Sequence, residues 1–213
     1  MNAFAQASEL PLLQGPNVYL AFLTEAHREP LRQLAKDERI WEFTRTLLLT
    51  DTYNEQFDKY FNEALANSGP NGQSFVICST VDNSRVDNSR ADNGLIGMTR
   101  IYEVDHRVQR ATIGHTWYTP AVWGKIHNKE CKLLLLQYLF ETKGMHRVEF
   151  RVASQNIRSQ KAVMKIGGIR EGILRRYVIR NDGTPSDTHI FSILVGEWKA
   201  EKKAQLQQLA ETL

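Results

Sequence analysis

The chain has 213 residues, of which 42% are hydrophobic and 24% are charged, and its net charge is +3. These values are typical of a globular protein, and the length suits one α/β domain with a hydrophobic core but is too short to expect two. The longest aliphatic run covers residues 133–136, far less than the about 20 residues of a membrane helix, and residues 1–16 lack signal-peptide features, so we expect a cytoplasmic protein without a membrane partner.

The first half of the chain predicts a strand, two helices and two further strands. In order, the predicted elements are a flexible arm (1–16), a strand (17–23), a helix (24–36), a second helix from residue 52 to the turn at 67–70, and strands at 73–80 and 95–104. Thr52 and Glu55 have the spacing of a capping box at the start of the second helix. Its apolar stripe consists of Tyr53, Phe57, Tyr60, Phe61 and Ala64. The tandem repeat VDNSR-VDNSR-ADN at 81–93 predicts a polar, turn-rich loop.

The second half predicts alternating strands and helices. The elements are a strand (110–118), a loop (119–127), a helix (128–143) closed by Gly144, a strand (146–153), a helix (156–166), two strands around the Asn-Asp-Gly turn at 181–183, and a charged helix (198–213). This order predicts an α/β fold, with one mixed sheet and helices on both faces. Cys78 and Cys131 lie in apolar runs without C-x-x-C spacing, so we expect buried, reduced thiols.

The charges of the chain are divided unevenly between its halves. Residues 1–105 hold nine Lys and Arg against fifteen Asp and Glu, whereas residues 106–213 hold eighteen against nine. A basic half suits an anionic partner such as a nucleic acid, a phosphorylated cofactor or an anionic surface. A basic surface exposed to solvent would explain the charge equally well. The charge alone therefore does not show whether the chain binds an anionic partner.

The most informative segment runs from residue 113 to residue 141, where a strand leads through a short loop directly into a helix. The main-chain N–H groups at such a helix start have no partner within the helix, and the helix dipole adds partial positive charge there. Lys125, His127, Lys129 and Lys132 add further positive charge. The segment therefore predicts a phosphate or pyrophosphate site. An ordinary strand-to-helix turn with surface lysines is the alternative.

A second motif follows the next strand and has the form N-I-R-S-x-x-A-x-x-K-x-G-G, from Asn156 to Gly168. With this motif, the chain resembles the GNAT superfamily of N-acetyltransferases, and within it the branch of the Rim-type ribosomal-protein N-terminal acetyltransferases. The resemblance covers about residues 17–198 and leaves 199–213 as a charged C-terminal helix. It implies a GNAT-like fold, with a central, twisted, mostly antiparallel sheet of about seven strands between helices.

The resemblance also implies acetyl-CoA as a co-substrate. The main chain of Trp117 and Tyr118 would pair with the pantetheine arm, and the diphosphate would be held by a loop and helix start formed by Trp123, Gly124, Lys125, His127, Asn128 and Lys129. Ile126 stands where the family usually has glycine, and a β-branched residue does not readily adopt a positive φ. The loop can still donate its N–H groups if it has ordinary helix-start geometry with Asn128 as the N-cap.

Candidate catalytic residues are few. The resemblance places Asn156 beside the pantetheine and makes Ser159 the hydroxyl that could protonate the leaving thiolate, because Val163 occupies the usual tyrosine position. A serine in the first turn of a helix is also an ordinary capping residue. No glutamate stands at the family's usual base position, so His115 and Glu103 remain as candidate bases, although a histidine on a strand is more often simply packed.

The lack of a strong candidate base affects which amine we expect as the acceptor. About 10% of an α-amine with a pKa near 8 is already neutral at pH 7, whereas deprotonating a lysine costs about 4.6 kcal/mol. We therefore expect a primary amine as the acceptor, with a protein or peptide N-terminus ahead of a small-molecule amine such as a polyamine, an amino acid or an antibiotic. Trp41 and Phe43 would lie on the acceptor side, although core packing explains them equally well.

Other classes of function find less support in the sequence. A non-catalytic CoA-binding module is the main alternative. No nucleic-acid-binding signature is present, so we do not expect a nucleic-acid partner, and the six histidines lack metal-ligand spacing, so no metal is expected. The sequence is compatible with a homodimer formed through the sheet edge or the terminal helix.

Overall fold

The computed structural model describes residues 13–80 and 94–211, so the repeat at 81–93 and most of the predicted arm lie outside the described residues. The strands are β1 (Leu13–Gln14), β2 (Val18–Phe22), β3 (Gln73–Ser79), β4 (Leu95–Asp105), β5 (Arg110–Tyr118), β6 (Arg147–Ala153), β7 (Ile169–Ile179) and β8 (Pro185–Leu194). The helices are α1 (Arg28–Leu34), α2 (Glu38–Trp41), α3 (Tyr53–Ala66), α4 (His127–Gln137), α5 (Ile157–Lys165), α6 (Val195–Glu197) and α7 (Lys203–Glu211).

The strands form one eight-stranded sheet in the order β1-β2-β3-β4-β5-β6-β8-β7. All neighbouring pairs are antiparallel except β5 and β6, which are parallel. The predicted mixed, mostly antiparallel sheet is therefore confirmed, with one strand more than expected. The additional strand is β1, which pairs with β2 in a part of the chain that the sequence assigned to the arm.

Helices cover the sheet on two sides, and each side has its own hydrophobic cluster. The predicted stripe of α3 is buried as expected, and it packs with Trp41 and Trp117 in one cluster. The larger cluster joins α4, α5 and the C-terminal helices to the central strands and contains both Trp198 and Leu206. Because these two residues are 1% exposed, the C-terminal helices belong to the core of the fold.

The predicted capping box does not form at the start of α3. Thr52 precedes the helix, but its side chain caps no main-chain N–H group. Its hydroxyl instead accepts a hydrogen bond from Gln56 Nε2 at 2.9 Å. Gln56 competes for the hydroxyl that the box would use, so the spacing alone misled the prediction.

The helix α4 begins one residue earlier than predicted. His127 is its first residue and Ile126 takes the N-cap position, so Asn128 is not the N-cap. Glu130 in the first turn ties this end of the helix to the start of β2. Its carboxylate accepts the N–H groups of Asn17 at 2.8 Å and Val18 at 3.1 Å, and the Asn17 side-chain amide at 2.7 Å.

Two irregularities of β5 open a cleft in the sheet. Opposite Met98–Arg100 of β4, the strand β5 carries one extra residue between Gly114 and Trp117, and His115 in this bulge has a φ of 49°. β5 then pairs with β6 only through Arg110, Ala111 and Thr112. Since no pairing continues beyond Thr112, the two strands diverge toward the start of α4.

The α4 helix continues as a π-helical segment (Tyr138–Thr142), and Gly144 follows with a φ of 67°, as the predicted closing glycine requires. The helix α7 packs along α4, and Lys129 Nζ donates to the carbonyl of Leu209 at 3.1 Å. Within residues 13–80 and 94–211, no helix has the length and apolar character to cross a membrane. Cys78 and Cys131 are buried and free, as expected.

Candidate active site

A cavity of about 440 Å³ occupies the cleft between β5 and β6. The loop that leads into α4 and the first turns of α5 form one end of it, and the segment after α2 lines the other. Every predicted cofactor-binding, catalytic and acceptor residue lines this cavity except Glu103, His127 and Phe43. The structure thus brings the two sequence motifs and Trp41 to one site.

The loop before α4 offers a row of free main-chain donors. Gly124 takes the left-handed conformation, with a φ of 75°, which glycine adopts without strain. Ile126 is helical, with φ −60° and ψ −34°, and its side chain is buried. Within the described parts of the chain, the N–H groups of Gly124, Ile126, His127 and Asn128 have no acceptor. The isoleucine therefore leaves the donors available, because the positive φ falls on Gly124 instead.

Positive charge surrounds these donors. The charged residues that line the cavity are Lys125, Lys129, Lys132, Arg151, Arg158 and Lys165, and none of the lining residues in the described chain is acidic. Two of these charges have partners elsewhere, since the Lys129 amine donates to the carbonyl of Leu209 and the Arg151 guanidinium pairs with Glu103. Arg158 on α5 stacks on the Trp123 ring at 3.8 Å from its centroid, and the Trp123 indole N–H donates to the carbonyl of Tyr118 at 2.9 Å. This contact joins the loop to both walls of the cleft and makes the site suitable for a diphosphate.

The wall formed by β5 presents its main chain to the cleft. From Ile113 to Tyr118, the edge of β5 that faces β6 has no strand partner. The side chain of Trp117 points to the other face of the sheet, where its indole N–H donates to Tyr60 Oη at 3.1 Å and its ring lies 5.7 Å from that of Trp41. An extended amide chain can therefore pair with this edge, as an added strand would.

The start of α5 supplies polar groups to the same cavity. Asn156 caps the helix, since its Oδ1 accepts the N–H of Ser159 at 2.9 Å. The Ser159 hydroxyl lines the cavity, and no partner for it is found among residues 13–80 and 94–211. The cap thus fixes the position of Ser159 and leaves its hydroxyl free to donate.

His115 lies in the bulge of β5, with its ring 5.1 Å from that of Tyr102 in an edge-on arrangement. By surface area the residue is exposed, since it opens into the cavity, yet protein atoms are dense around the ring itself. Burial, followed by the positive charge of Arg100, lowers the pKa of His115 to about 4. The imidazole is therefore neutral at pH 7 and only weakly basic.

Glu103, the other candidate base, does not line the cavity. Its two carboxylate oxygens accept the two guanidinium nitrogens of Arg151, one of them at 2.7 Å. This bidentate pair occupies the carboxylate away from the cavity.

Comparison with known proteins agrees with this geometry. Residues 17–169 match the family model of the acetyltransferase (GNAT) domain. The chain belongs to the GNAT family. In sequence, it is 32% identical over 100 residues to the N-acetyltransferase YoaA of Bacillus subtilis. That match spans 47% of this chain and 55% of YoaA, so the chain covers little more than half the length of the curated relatives it matches.

Solved structures share the GNAT fold over nearly the whole chain. A GNAT-family acetyltransferase of Chromobacterium violaceum is 27% identical and superposes with a TM-score of 0.76, covering 92% of both chains. RimJ of Mycobacterium smegmatis, solved with CoA-disulfide, is 20% identical, has a TM-score of 0.72, and the match covers 92% of this chain and 93% of that one. At 20% identity, the RimJ match shows the GNAT fold alone.

Two predicted site residues lie elsewhere in this GNAT fold. The His127 imidazole faces β3, where its Nε2 lies 3.2 Å from Ser79 Oγ, so only its main-chain N–H is directed to the loop site. Phe43 is half-buried after α2 and does not line the cavity. The sequence could not predict that the His127 side chain faces β3, because its partner there, Ser79, lies 48 residues away in the chain.

Sequence reasoning also missed lining residues. The sequence assigned Tyr60 only to the apolar stripe of α3 and gave Thr116 no role beyond its place in a strand, yet both residues line the cavity. The sequence counted Lys132 only among the positive charges at the predicted phosphate site, whereas its side chain is buried, with 6% of the residue exposed. A signal was present, because Lys132 occupies an apolar position one turn before Leu136 on the face of α4 that packs on the sheet.

Proposed function

We propose that this chain transfers the acetyl group of acetyl-CoA to a primary amine, and that its acceptor is the α-amine of a protein or peptide N-terminus. The observation that carries the first part is the cleft between β5 and β6, which joins an unpaired strand edge to a row of free N–H donors before α4. These two features match the amide-rich arm and the diphosphate of coenzyme A, and the family match to residues 17–169 supports the same cofactor.

The chain's own residues can hold this cofactor without a metal. A phosphate at the start of a helix gains about 0.3–1 kcal/mol from the dipole in addition to its direct hydrogen bonds. Lys125 and Arg158 add charge beside the free donors. The amide groups of the pantetheine arm would pair with the main chain of Trp117 and Tyr118 on the free edge of β5.

The acceptor side supports an amine of low pKa. His115 is a weak base, with a pKa of about 4, and no carboxylate lines the cavity among the described residues. A polyamine would bring further cationic amines that these basic walls repel, whereas an α-amine with a pKa near 8 is partly neutral at pH 7.

A contact between distant parts of the chain holds the acceptor side of the cavity in place. The turn between β7 and β8 is bonded to the segment after α2: Asn181 donates its N–H to the carbonyl of Arg45 at 3.3 Å and its side-chain amide to the carbonyl of Thr46 at 2.5 Å. Thr46 itself lines the cavity. This contact fixes the position of Thr46 and with it the wall that the acceptor would meet, whether the acceptor is a chain end or a side-chain amine.

In this proposal, positioning supplies much of the rate enhancement. A thioester is already activated, so holding the amine beside it converts the reaction into an intramolecular one. Main-chain N–H groups at the β5 bulge would stabilise the negative charge that develops on the acetyl oxygen. Ser159 would donate a hydrogen bond to the leaving sulfur.

Thiol release from acetyl-CoA tests the proposal when it is measured with peptides of free N-terminus, the same peptides N-acetylated but carrying a lysine, and polyamines. Release with the free peptides alone is expected. Release only with lysine peptides or polyamines would contradict the assignment of the acceptor. CoA binding in calorimetry without thiol release for any acceptor would favour a CoA-binding module, and no binding would refute the cofactor.

A further inference from the structure

The amine of Lys132 is buried in the cavity wall without an acidic partner. Its Nζ donates to the Thr116 hydroxyl at 2.8 Å, and that hydroxyl lies 2.7 Å from the hydroxyl of Thr99. Within the described parts of the chain, Lys132 forms no ion pair. A buried charge that no carboxylate compensates is costly. Such a group is therefore a candidate for a functional role.

Thr116 places this amine at the reacting end of the cleft. Thr116 belongs to the β5 bulge, between Gly114 and Trp117, and so lies within the stretch of β5 that has no partner on the side of β6. The free N–H donors lie one helical turn before Lys132, at the start of α4. A cofactor whose diphosphate lies at those donors and whose arm follows β5 would bring its sulfur end past the bulge.

The other groups around this cavity do not neutralise Lys132. Those that titrate or carry charge and line the same cavity are Tyr60 on α3, His115 and Tyr118 on β5, Lys125 in the loop before α4, Lys129 on α4, Arg151 on β6, and Arg158 and Lys165 on α5. Tyr118 and the neighbouring thiol of Cys131 both have a raised pKa because of burial, so both are neutral at pH 7. Burial lowers the pKa of Lys132 itself to about 8, which keeps it mostly protonated at pH 7 and able to release its proton.

We propose that Lys132 stabilises the thiolate of coenzyme A as it leaves and returns a proton to it. This inference rests on the function proposed above. The acceptor nitrogen forms a bond to the acetyl carbon, the carbon–sulfur bond breaks, and its electron pair stays on sulfur. The Lys132 ammonium gives its proton to that sulfur, and the resulting amine takes up the proton that the acceptor nitrogen loses, directly or through water. Ser159 contributes a hydrogen bond to the same sulfur.

The thiol of bound coenzyme A reports this charge without any turnover. We would titrate CoA with the protein in excess, follow the ultraviolet absorbance of the thiolate against pH, and subtract the same titration with desulfo-CoA to remove tyrosine. The variants are Lys132→Met, which removes the charge, and Lys132→Arg, which keeps it. The matched control is Lys161→Met, which removes an exposed lysine of α5 that does not line the cavity.

In Lys132→Met, the pKa of the bound thiol should rise by about 1–3 pH units, the usual effect of an opposite charge at close range. Lys132→Arg and Lys161→Met should stay near the unaltered protein. For Lys132→Met, kcat should fall about 100-fold or more, with little change in KM for acetyl-CoA. Thermal melting checks the fold, and Lys132→Met should melt at the same temperature or higher, since it removes an uncompensated buried charge.

The outcomes separate this inference from the function on which it rests. If CoA binds and its thiol titrates at the same pH in the unaltered protein and in Lys132→Met, the role of Lys132 is refuted while the cofactor stands. If Lys161→Met shifts the thiol as much as Lys132→Met, the effect is one of net charge and the specific role is again refuted. Failure of the unaltered protein to bind CoA would overturn both proposals.

Discussion

Replacing Ile126 by glycine tests whether the loop before α4 needs the family's usual residue. Ile126 is 4% exposed and its main chain is helical. Truncating a buried isoleucine costs about 2–5 kcal/mol, and glycine at an N-cap position adds little to that cost. For a chain of this size, the expected fall in Tm is about 4–20 °C. Affinity for CoA should stay nearly unchanged, because the N–H donors already point outward with isoleucine in place.

Two measurements check this expectation on the same samples. Urea unfolding followed by circular dichroism gives the free energy of unfolding, and calorimetry below the unfolding transition gives the Kd of CoA. Ile126→Val is the matched control and should cost about 0.5–1.5 kcal/mol. If Ile126→Gly bound CoA ten times more tightly, the side chain would be obstructing the diphosphate, and the assignment of the positive φ to Gly124 alone would be wrong.

Three further predictions concern neighbouring residues. In Gly124→Ala the added methyl group would meet no atom within 4 Å, but the residue has a φ of 75°. This conformation costs alanine about 1–2 kcal/mol, which should weaken CoA binding about 5–30-fold in calorimetry; an unchanged affinity would contradict this prediction. Glu130→Ala leaves three donors without their acceptor and should lower the free energy of unfolding by about 2–5 kcal/mol in urea, with Glu130→Gln losing less; equal losses would show that the hydrogen bonds matter little. For His115, the proton NMR titration should have a midpoint near pH 4. Because the unfolded chain takes up this proton near pH 6.5, stability should fall as the pH drops from about 6.5 to 4, less steeply in His115→Gln; a midpoint at 6 or above would refute the burial argument.

Much of the fold could be predicted because it depends on periodicity. The stripe of α3, from Tyr53 to Ala64, repeats at helical spacing and is buried as expected. The boundaries of β5 agree because Arg110 and Tyr118 stand between clear turn and loop signals. By contrast, β1 has two residues and exists only through its pairing with β2, so no local pattern could reveal it.

The details of the site depend on main-chain angles and on distant partners, which residue types do not encode. Ile126 was judged by its resistance to a positive φ, but the loop assigns that conformation to Gly124. Lys132 was predicted only to add positive charge at the phosphate site, whereas its partner, Thr116, comes from a bulge that no pattern in the sequence marks. The two motifs were nonetheless sufficient to place most of the cavity wall.

The charged residues described in the cavity wall are all basic, and dissolved salt should therefore have two opposing effects. Without a ligand, Lys125, Lys132 and Arg158 line one cavity with no acidic lining residue among residues 13–80 and 94–211, so added ions should screen their mutual repulsion and raise the melting temperature. The same ions compete with the phosphates of the cofactor and should weaken its hold. Buffers that best preserve the purified protein are thus the ones in which it is least readily saturated.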